Sequence, residues 1–259
     1  AGILSSQIGY GLGLAVADFN RDGYPDVYVS NDFHENDYLY INQKDGTFLQ
    51  QAERSMAHTS RFSMGNDAAD INNDGWTDLV TLDMLPKEES IIKTSAGEDS
   101  YEVYKFKLSS GFARQVSRNA LQLNHGLIDS GRLVFSDIAQ VAGIDATDWS
   151  WCPIAADFDG DGWKDLFISN GIVRRPNDLD YINFMSSDSI QQNLHLSDFT
   201  LADQMPPGEA SNFMYKNKGN LTFEDVTQRW GLYLPSYSNG SVAADLDNDS
   251  DLDLVVNRI

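Results

Sequence analysis

Four nonapeptides share one pattern: Asp18-Phe19-Asn20-Arg21-Asp22-Gly23-Tyr24-Pro25-Asp26, Asp70-Ile71-Asn72-Asn73-Asp74-Gly75-Trp76-Thr77-Asp78, Asp157-Phe158-Asp159-Gly160-Asp161-Gly162-Trp163-Lys164-Asp165 and Asp245-Leu246-Asp247-Asn248-Asp249-Ser250-Asp251-Leu252-Asp253. Each follows small or apolar residues and precedes an apolar run. Residues 14–17 and 27–29 alternate with period two around the first copy, and residues 79–82, 166–168 and 254–256 follow the others, so each acidic loop is expected to join two β-strands. A second element recurs between the loops. It runs from residues 38–42 to Phe48, from 121–124 to Phe135 and from 212–215 to Phe223, and it ends on the related segments Ser55-Met56-Ala57, Val141-Ala142-Gly143-Ile144 and Trp230-Gly231-Leu232. Ala1-Gly2-Ile3-Leu4 opens the chain in the same phase. One unit therefore reads strand, acidic loop, strand, strand, strand.

Four short strands per repeat predict an all-β fold, a β-propeller of four-stranded blades, in which radial stacking leaves only short sheet edges exposed. The first aspartates of the loops lie 52, 87 and 88 residues apart. The two longer spacings place insertions after the second strand of their units, at residues 86–117 and 174–210. Both are rich in helix formers, Tyr101, Tyr104, Phe106 and Leu108 giving the first an amphipathic signal, and both are expected to be helical excursions on one rim. Residues 1–259 thus read as one propeller domain of about three and a half blades. Because both ends fall in mid-repeat, the expected partner for the open edges is the rest of a longer parent propeller chain.

The composition supports a folded chain and narrows its partners. With 39 acidic against 18 basic residues the net charge is −21, which disfavours nucleic acid, whose binding rests on clustered Lys and Arg. The chain is 41% hydrophobic with 13 Phe, 11 Tyr and 5 Trp, enough for a packed core. No run reaches the roughly 18 apolar residues of a membrane helix, so direct membrane insertion is not expected. The lone Cys152 lies between Trp151 and Pro153, with neither base nor metal partner, and reads as a buried structural thiol.

The acids are concentrated where they can hold a cation. Side-chain oxygens at the first, third, fifth and ninth loop positions converge on one hard ion, and the backbone carbonyl of the seventh adds another. The candidate ligands are Asp18, Asn20, Asp22, Tyr24 and Asp26; Asp70, Asn72, Asp74, Trp76 and Asp78; Asp157, Asp159, Asp161, Trp163 and Asp165; and Asp245, Asp247, Asp249, Asp251 and Asp253. Glycine at the sixth position permits a sharp turn, and Ser250 there is expected to cost about 1 kcal/mol of strain. An EF-hand would need Glu at the twelfth position, which here is Val29, Thr81, Ile168 or Val256. Oxygen-only ligands without His or Cys favour Ca²⁺, up to four ions, which would offset eight of the 21 surplus negative charges. Sites of this kind bind at roughly 10⁻⁴ to 10⁻³ M, suited to extracellular calcium. Trp76 and Trp163 are expected to cover the ion.

These loops, with Asn42-Gln43-Lys44-Asp45-Gly46-Thr47-Phe48 and Asn217-Lys218-Gly219-Asn220-Leu221-Thr222-Phe223 between them, resemble FG-GAP (VCBS-type) repeats of the integrin α-subunit-like β-propeller. Gly13-Leu14-Ala15-Val16-Ala17-Asp18, Thr147-Asp148-Trp149-Ser150-Trp151 and Asp165-Leu166-Phe167-Ile168-Ser169-Asn170-Gly171 resemble more narrowly bacterial surface proteins related to cartilage acidic protein, many from Bacteroidetes. The resemblance implies a secreted or surface-anchored protein, extracellular or associated with a bacterial outer membrane. It also implies calcium on the blade loops and adhesion or ligand binding without catalysis. The two insertions and Ser250 depart from the family pattern.

No arrangement of catalytic groups competes with this reading. His34, His58, His125 and His195 share no metal-binding spacing, and no Gly-rich phosphate loop is present. Residues 32–37 form a polar stretch, and Trp149 and Trp151 are expected to pack between blades. The expected function is a non-catalytic calcium-binding surface module whose inserted rim contacts a protein or glycan. The alternatives are an accessory subunit of a bacterial outer-membrane uptake or secretion complex, and a glycan-active enzyme with a carboxylate pair.

Overall fold

Alternating apolar and polar residues build three four-stranded antiparallel sheets in a computed structural model that describes residues 2–3, 9–97, 99–128, 131–191 and 199–258. The first sheet runs Gly9–Ala17, Asp26–Phe33, Tyr38–Asn42, Phe48–Gln50, in chain order. The second contains Asn66–Ala69, Asp78–Thr81, Ala120–Leu127 and Leu133–Asp137, and the third Ser150–Ala156, Asp165–Asn170, Phe213–Asn217 and Phe223–Asp225. Ser241–Ala244 and Asp253–Val256 add a hairpin. An acidic loop joins the first and second strands every time. Among the described residues no sheet closes on itself. The first strands stand side by side in chain order, Asn66–Ala69 touching both Gly9–Ala17 and Ser150–Ala156, and the latter touching Ser241–Ala244. Of the sequence readings above, Ala1, Leu4 and His195 lie outside the described residues.

Period-two alternation sends each middle strand's residues into two different cores. Leu79 faces the first sheet with Phe19, Tyr28, Leu39 and Phe135. Its neighbour Val80 faces the third sheet with Leu121, Leu166, Ile168 and Tyr215. Phe167, between Leu166 and Ile168, points the other way to Met214, Leu254 and Val256. A register slip of one residue would exchange the two faces, so burial on both sides fixes the pairing. Each fully buried Leu or Ile contributes about 1.5–3 kcal/mol.

Three asparagines follow the third strands' apolar residues, and two of them tie these layers together. Asn124 Nδ2 donates to the carbonyls of Thr77 in its own sheet and Phe19 in the preceding one, at 3.0 and 2.9 Å. Asn217 repeats this with Lys164 and Ile71 at 3.0 and 2.9 Å. Their Oδ1 atoms accept the N–H of Gly126 and Gly219. Asn42 Nδ2 donates to the Pro25 carbonyl of its own sheet at 3.1 Å, its one acceptor among the described residues, and its Oδ1 accepts from Lys44 N–H.

Residues 86–117 contain the helices Glu89–Thr94 and Tyr101–Ser109 and the short strand Gln115–Val116, paired parallel to Thr59–Ser60. Residues 174–210 contain Leu179–Met185, whose N-terminal turn Asp178 caps through Tyr181 N–H, and Asp188–Gln191, with a 3₁₀ turn at Phe199–Gln204. The two segments meet where Ala96 N–H donates to the Asn177 carbonyl at 2.6 Å. The amphipathic reading of the first is corrected: Tyr101–Ser109 buries no side chain, and Tyr101 and Phe106 are exposed. Charge holds that helix in place, because Asp99 takes Lys107 at 2.5 Å and Arg61 at 2.8 Å. Cys152 is half-buried where full burial was expected, since it lies beside the hairpin, with Sγ 3.7 Å from the Ser241 carbonyl. Trp151 packs on the core between the second and third sheets and donates to the Gly171 carbonyl at 2.8 Å.

Asp37 is fully buried and receives Tyr28 OH at 2.6 Å, Ser63 OH at 2.8 Å and Asn31 N–H at 2.8 Å. Burial nevertheless pushes its carboxyl up to about 7. The folded state then binds the extra proton between about pH 4 and 7, so this group's contribution to stability falls as pH rises through that window. Urea midpoints across pH 4–8 should show Asp37→Asn flattening the fall by up to about 1.4 kcal/mol per pH unit, the slope of one proton. The asparagine ties give a second expectation: Asn217→Ala orphans two backbone carbonyls and should cost about 2 kcal/mol or more in the same assay, whereas Asn42→Ala costs less.

Candidate metal centres

All four acidic loops adopt one conformation, set by two left-handed residues. The fourth position has φ of 57° at Arg21, 56° at Asn73, 71° at Gly160 and 61° at Asn248, and the sixth has 86°, 87° and 89° at Gly23, Gly75 and Gly162 and 79° at Ser250. Ser250 therefore takes the glycine conformation at a cost of about 1–2 kcal/mol.

The two turns aim backbone N–H groups at the first carboxylate. Asp18 accepts from Asp22 and Gly23 at 3.0 and 2.7 Å, and Asp70 from Asp74 and Gly75 at 3.1 and 2.7 Å. Asp157 accepts from Asp161 and Gly162 at 3.1 and 2.9 Å, and Asp245 from Asp249 and Ser250 at 3.2 and 3.1 Å. The fifth-position carboxylates of Asp22, Asp74, Asp161 and Asp249 take the N–H of Tyr24, Trp76, Trp163 and Asp251, whose carbonyls stay out of that bond.

The ninth position begins the second strand and closes the loop. Asp26, Asp78, Asp165 and Asp253 accept the second-position N–H of Phe19, Ile71, Phe158 and Leu246. In the three full sheets the other oxygen accepts the N–H of Asn42, Asn124 or Asn217 at 2.8–2.9 Å. Despite these donors, burial raises Asp26 to about 6, Asp78 to about 7 and Asp165 to about 6, with the loop's other carboxylates adding to the rise. A cation in the loop would act against both causes.

The structure brings Asp157, Asp159 and Asp165 together, with one oxygen of each within 4.8 Å of the others, and it gathers Asp245, Asp247 and Asp249 in the same way. Asp161 turns to Lys216, which lies 3.0 Å away and also ion-pairs with Asp159, and this contact holds the Asp161 carboxyl below the usual carboxylate range. Asp253 is engaged with Leu246 N–H and is not one of the fourth loop's close trio. In the first two loops Asn20 and Asn72 donate to Asp22 and Asp74 at 3.0 and 2.9 Å. Lys44 approaches Asp22 at 3.4 Å. The donors are oxygens alone, the set that fits a hard divalent cation.

The tryptophans do not cover the loop interior. Trp76 lies so close to Gly126 that a Cβ there would be 2.4 Å from the indole, and Trp163 lies on Gly219 with 2.9 Å. The sixth-position turn directs the seventh side chain at the end of the third strand or the turn just after it. Tyr24 faces Lys44 in the corresponding place, 5.1 Å from its ammonium.

Sequence reasoning missed Asn42, Asn124 and Asn217, which hold the ninth carboxylate; it also missed the left-handed fourth position and Lys216. Recurrence of Asn in each third strand, and Asn or Gly at the fourth position of three loops, carried the first two signals. Lys216 stands in one unit and leaves no repeat signature. The twelfth positions, Val29, Thr81, Ile168 and Val256, all lie in strands, as expected of a loop other than an EF-hand.

No curated protein matches the chain. Its first, second and fourth acidic loops fall within two regions, residues 18–81 and 196–256, that match the family model described as FG-GAP-like repeat, and the chain thus carries FG-GAP-like repeats.

Proposed function

We propose that the chain is a calcium-stabilised, non-catalytic segment of an integrin α-like β-propeller, carried on a secreted or cell-surface protein, whose inserted rim binds a protein or glycan partner. The observation that carries the calcium reading is the fourfold recurrence of one loop conformation with oxygen donors alone around it. The ions would be held by the first, third, fifth and ninth side chains and the seventh carbonyl, Ca²⁺ fitting so irregular an oxygen set better than Mg²⁺. An ion there supplies charge compensation and rigidity.

The side-by-side first strands and the core at each junction between sheets support a radial stack. Tyr10, Leu14 and Val16 on the first sheet, and Val242 and Val255 on the hairpin, leave apolar faces suited to further sheets of the same kind. Both inserted segments leave the sheets at the ends away from the acidic loops, so the ions stiffen one rim while the other is free to carry recognition.

Calcium at about 5 mM should stabilise the chain by about 1–2 kcal/mol for each occupied loop, measured as the rise in melting temperature over a chelator control. Asp159→Ala should remove one equivalent of bound calcium in a titration and leave the rest; an unchanged melting temperature with chelator contradicts the proposal. Lys216→Met should tighten calcium binding at the third loop several-fold and lower stability in chelator, because the ammonium and the ion compete for Asp159 and Asp161.

A further inference from the structure

A cavity of about 550 Å³ opens at the end of the sheets opposite the acidic loops. From Asp26 to Phe33 the second strand spans about 23 Å, which sets the separation of the two sites. The floor comes from the ends of all three sheets, with Phe33, Phe62 and Trp149 as aromatic walls, and the inserted segments supply Ile92 and Ile182 where they meet. The volume is that of a small-molecule site.

Three observations indicate that this wall is built for a ligand. First, Phe33 holds φ of 79° and Asp148, next to Trp149, holds 87°, two strained non-glycine residues that set the aromatic walls. Bulky residues adopt such angles only where the surroundings enforce them, and such strain gathers at binding sites. Asp148 is clamped by Arg175 at 2.7 Å, with both side chains buried. Second, Trp149 is 8% exposed, and among the described residues its Nε1 has no hydrogen-bond partner, nor do the buried Asp32 Oδ1 and Asn177 Oδ1 atoms on the same wall. Third, the lining carries two carboxylates, Asp32 and Asp83, against one cation, Arg61, whose guanidinium bonds Asp99 at 2.8 Å and lies 4.5 Å from the Phe62 ring. Asp83 is already engaged by Ser60 OH and the N–H groups of Arg61, Phe62 and Met84, which leaves Asp32 as the carboxylate open to a ligand.

We propose that this cavity binds a free arylalkylamine, a one- or two-ring apolar body among Phe33, Phe62 and Trp149 whose ammonium donates to Asp32 and Asn177. Orphaned acceptors select a donor, the carboxylate selects a cation, and ring faces favour that cation further. The inference goes beyond the reading of the inserted rim as a protein- or glycan-binding face by adding a small-molecule site beneath it, and it is independent of the metal loops.

The test titrates the calcium-loaded chain with tryptamine and 2-phenylethylamine, following heat and tryptophan fluorescence, with 3-ethylindole as the neutral control. Saturable amine binding, at least about tenfold weaker in Asp32→Asn and in Ile92→Arg on the exposed roof, and at least about tenfold weaker for the neutral control, is expected. Ile92→Arg keeps the test decisive if Asp32→Asn fails to fold. No saturation by either amine up to about 10 mM, or unchanged binding in Ile92→Arg, overturns the proposal. Calcium-dependent melting in the same samples reports separately on the metal reading.

Discussion

The structure depends on carboxylates held where water is scarce and other carboxylates are near. Asp26, Asp78 and Asp165 are each fully buried at the start of a second strand, where they bond the loop's second N–H and the third strand's asparagine. That geometry fixes loop, second strand and third strand at once. It also leaves the carboxyls well above their ordinary range, because burial and the other loop acids oppose their charge. The fold supplies N–H donors to orient these groups and few positive charges to balance them.

The balance differs from loop to loop. Lys216 supplies a positive charge to the third loop, and Lys44 approaches the first at 3.4 Å. The fourth loop gathers Asp245, Asp247 and Asp249 on an exposed hairpin with Ser250 in a glycine conformation. Opposite-sign partners held inside the chain and a divalent cation are alternative answers to the same repulsion. The proposed calcium role rests on that competition and on the oxygen-only donors.

Much of the fold was legible because it repeats. The period-two runs and the recurring nonapeptide placed every first and second strand around its loop, and the spacing of 52 against 87 and 88 residues located the inserted segments. Features that depend on partners distant in sequence were not legible. Asn217 bonds the carbonyl of Ile71, far away along the chain, and Trp163 rests on Gly219 in a turn after a later strand. The helix Tyr101–Ser109 misled the reading because its aromatic residues suggested an apolar seam, whereas the Asp99 ion pairs position it. The cavity beside Trp149 is assembled from six separate stretches, none with a motif of its own.

The most direct measurement is an anomalous-scattering map from crystals grown in millimolar calcium. Peaks of calcium strength within all four loops, each ringed by oxygens of the first, third, fifth, seventh and ninth residues, are the predicted result. Loops holding only water at that concentration, with Lys216 still seated on Asp159 and Asp161, would contradict the account.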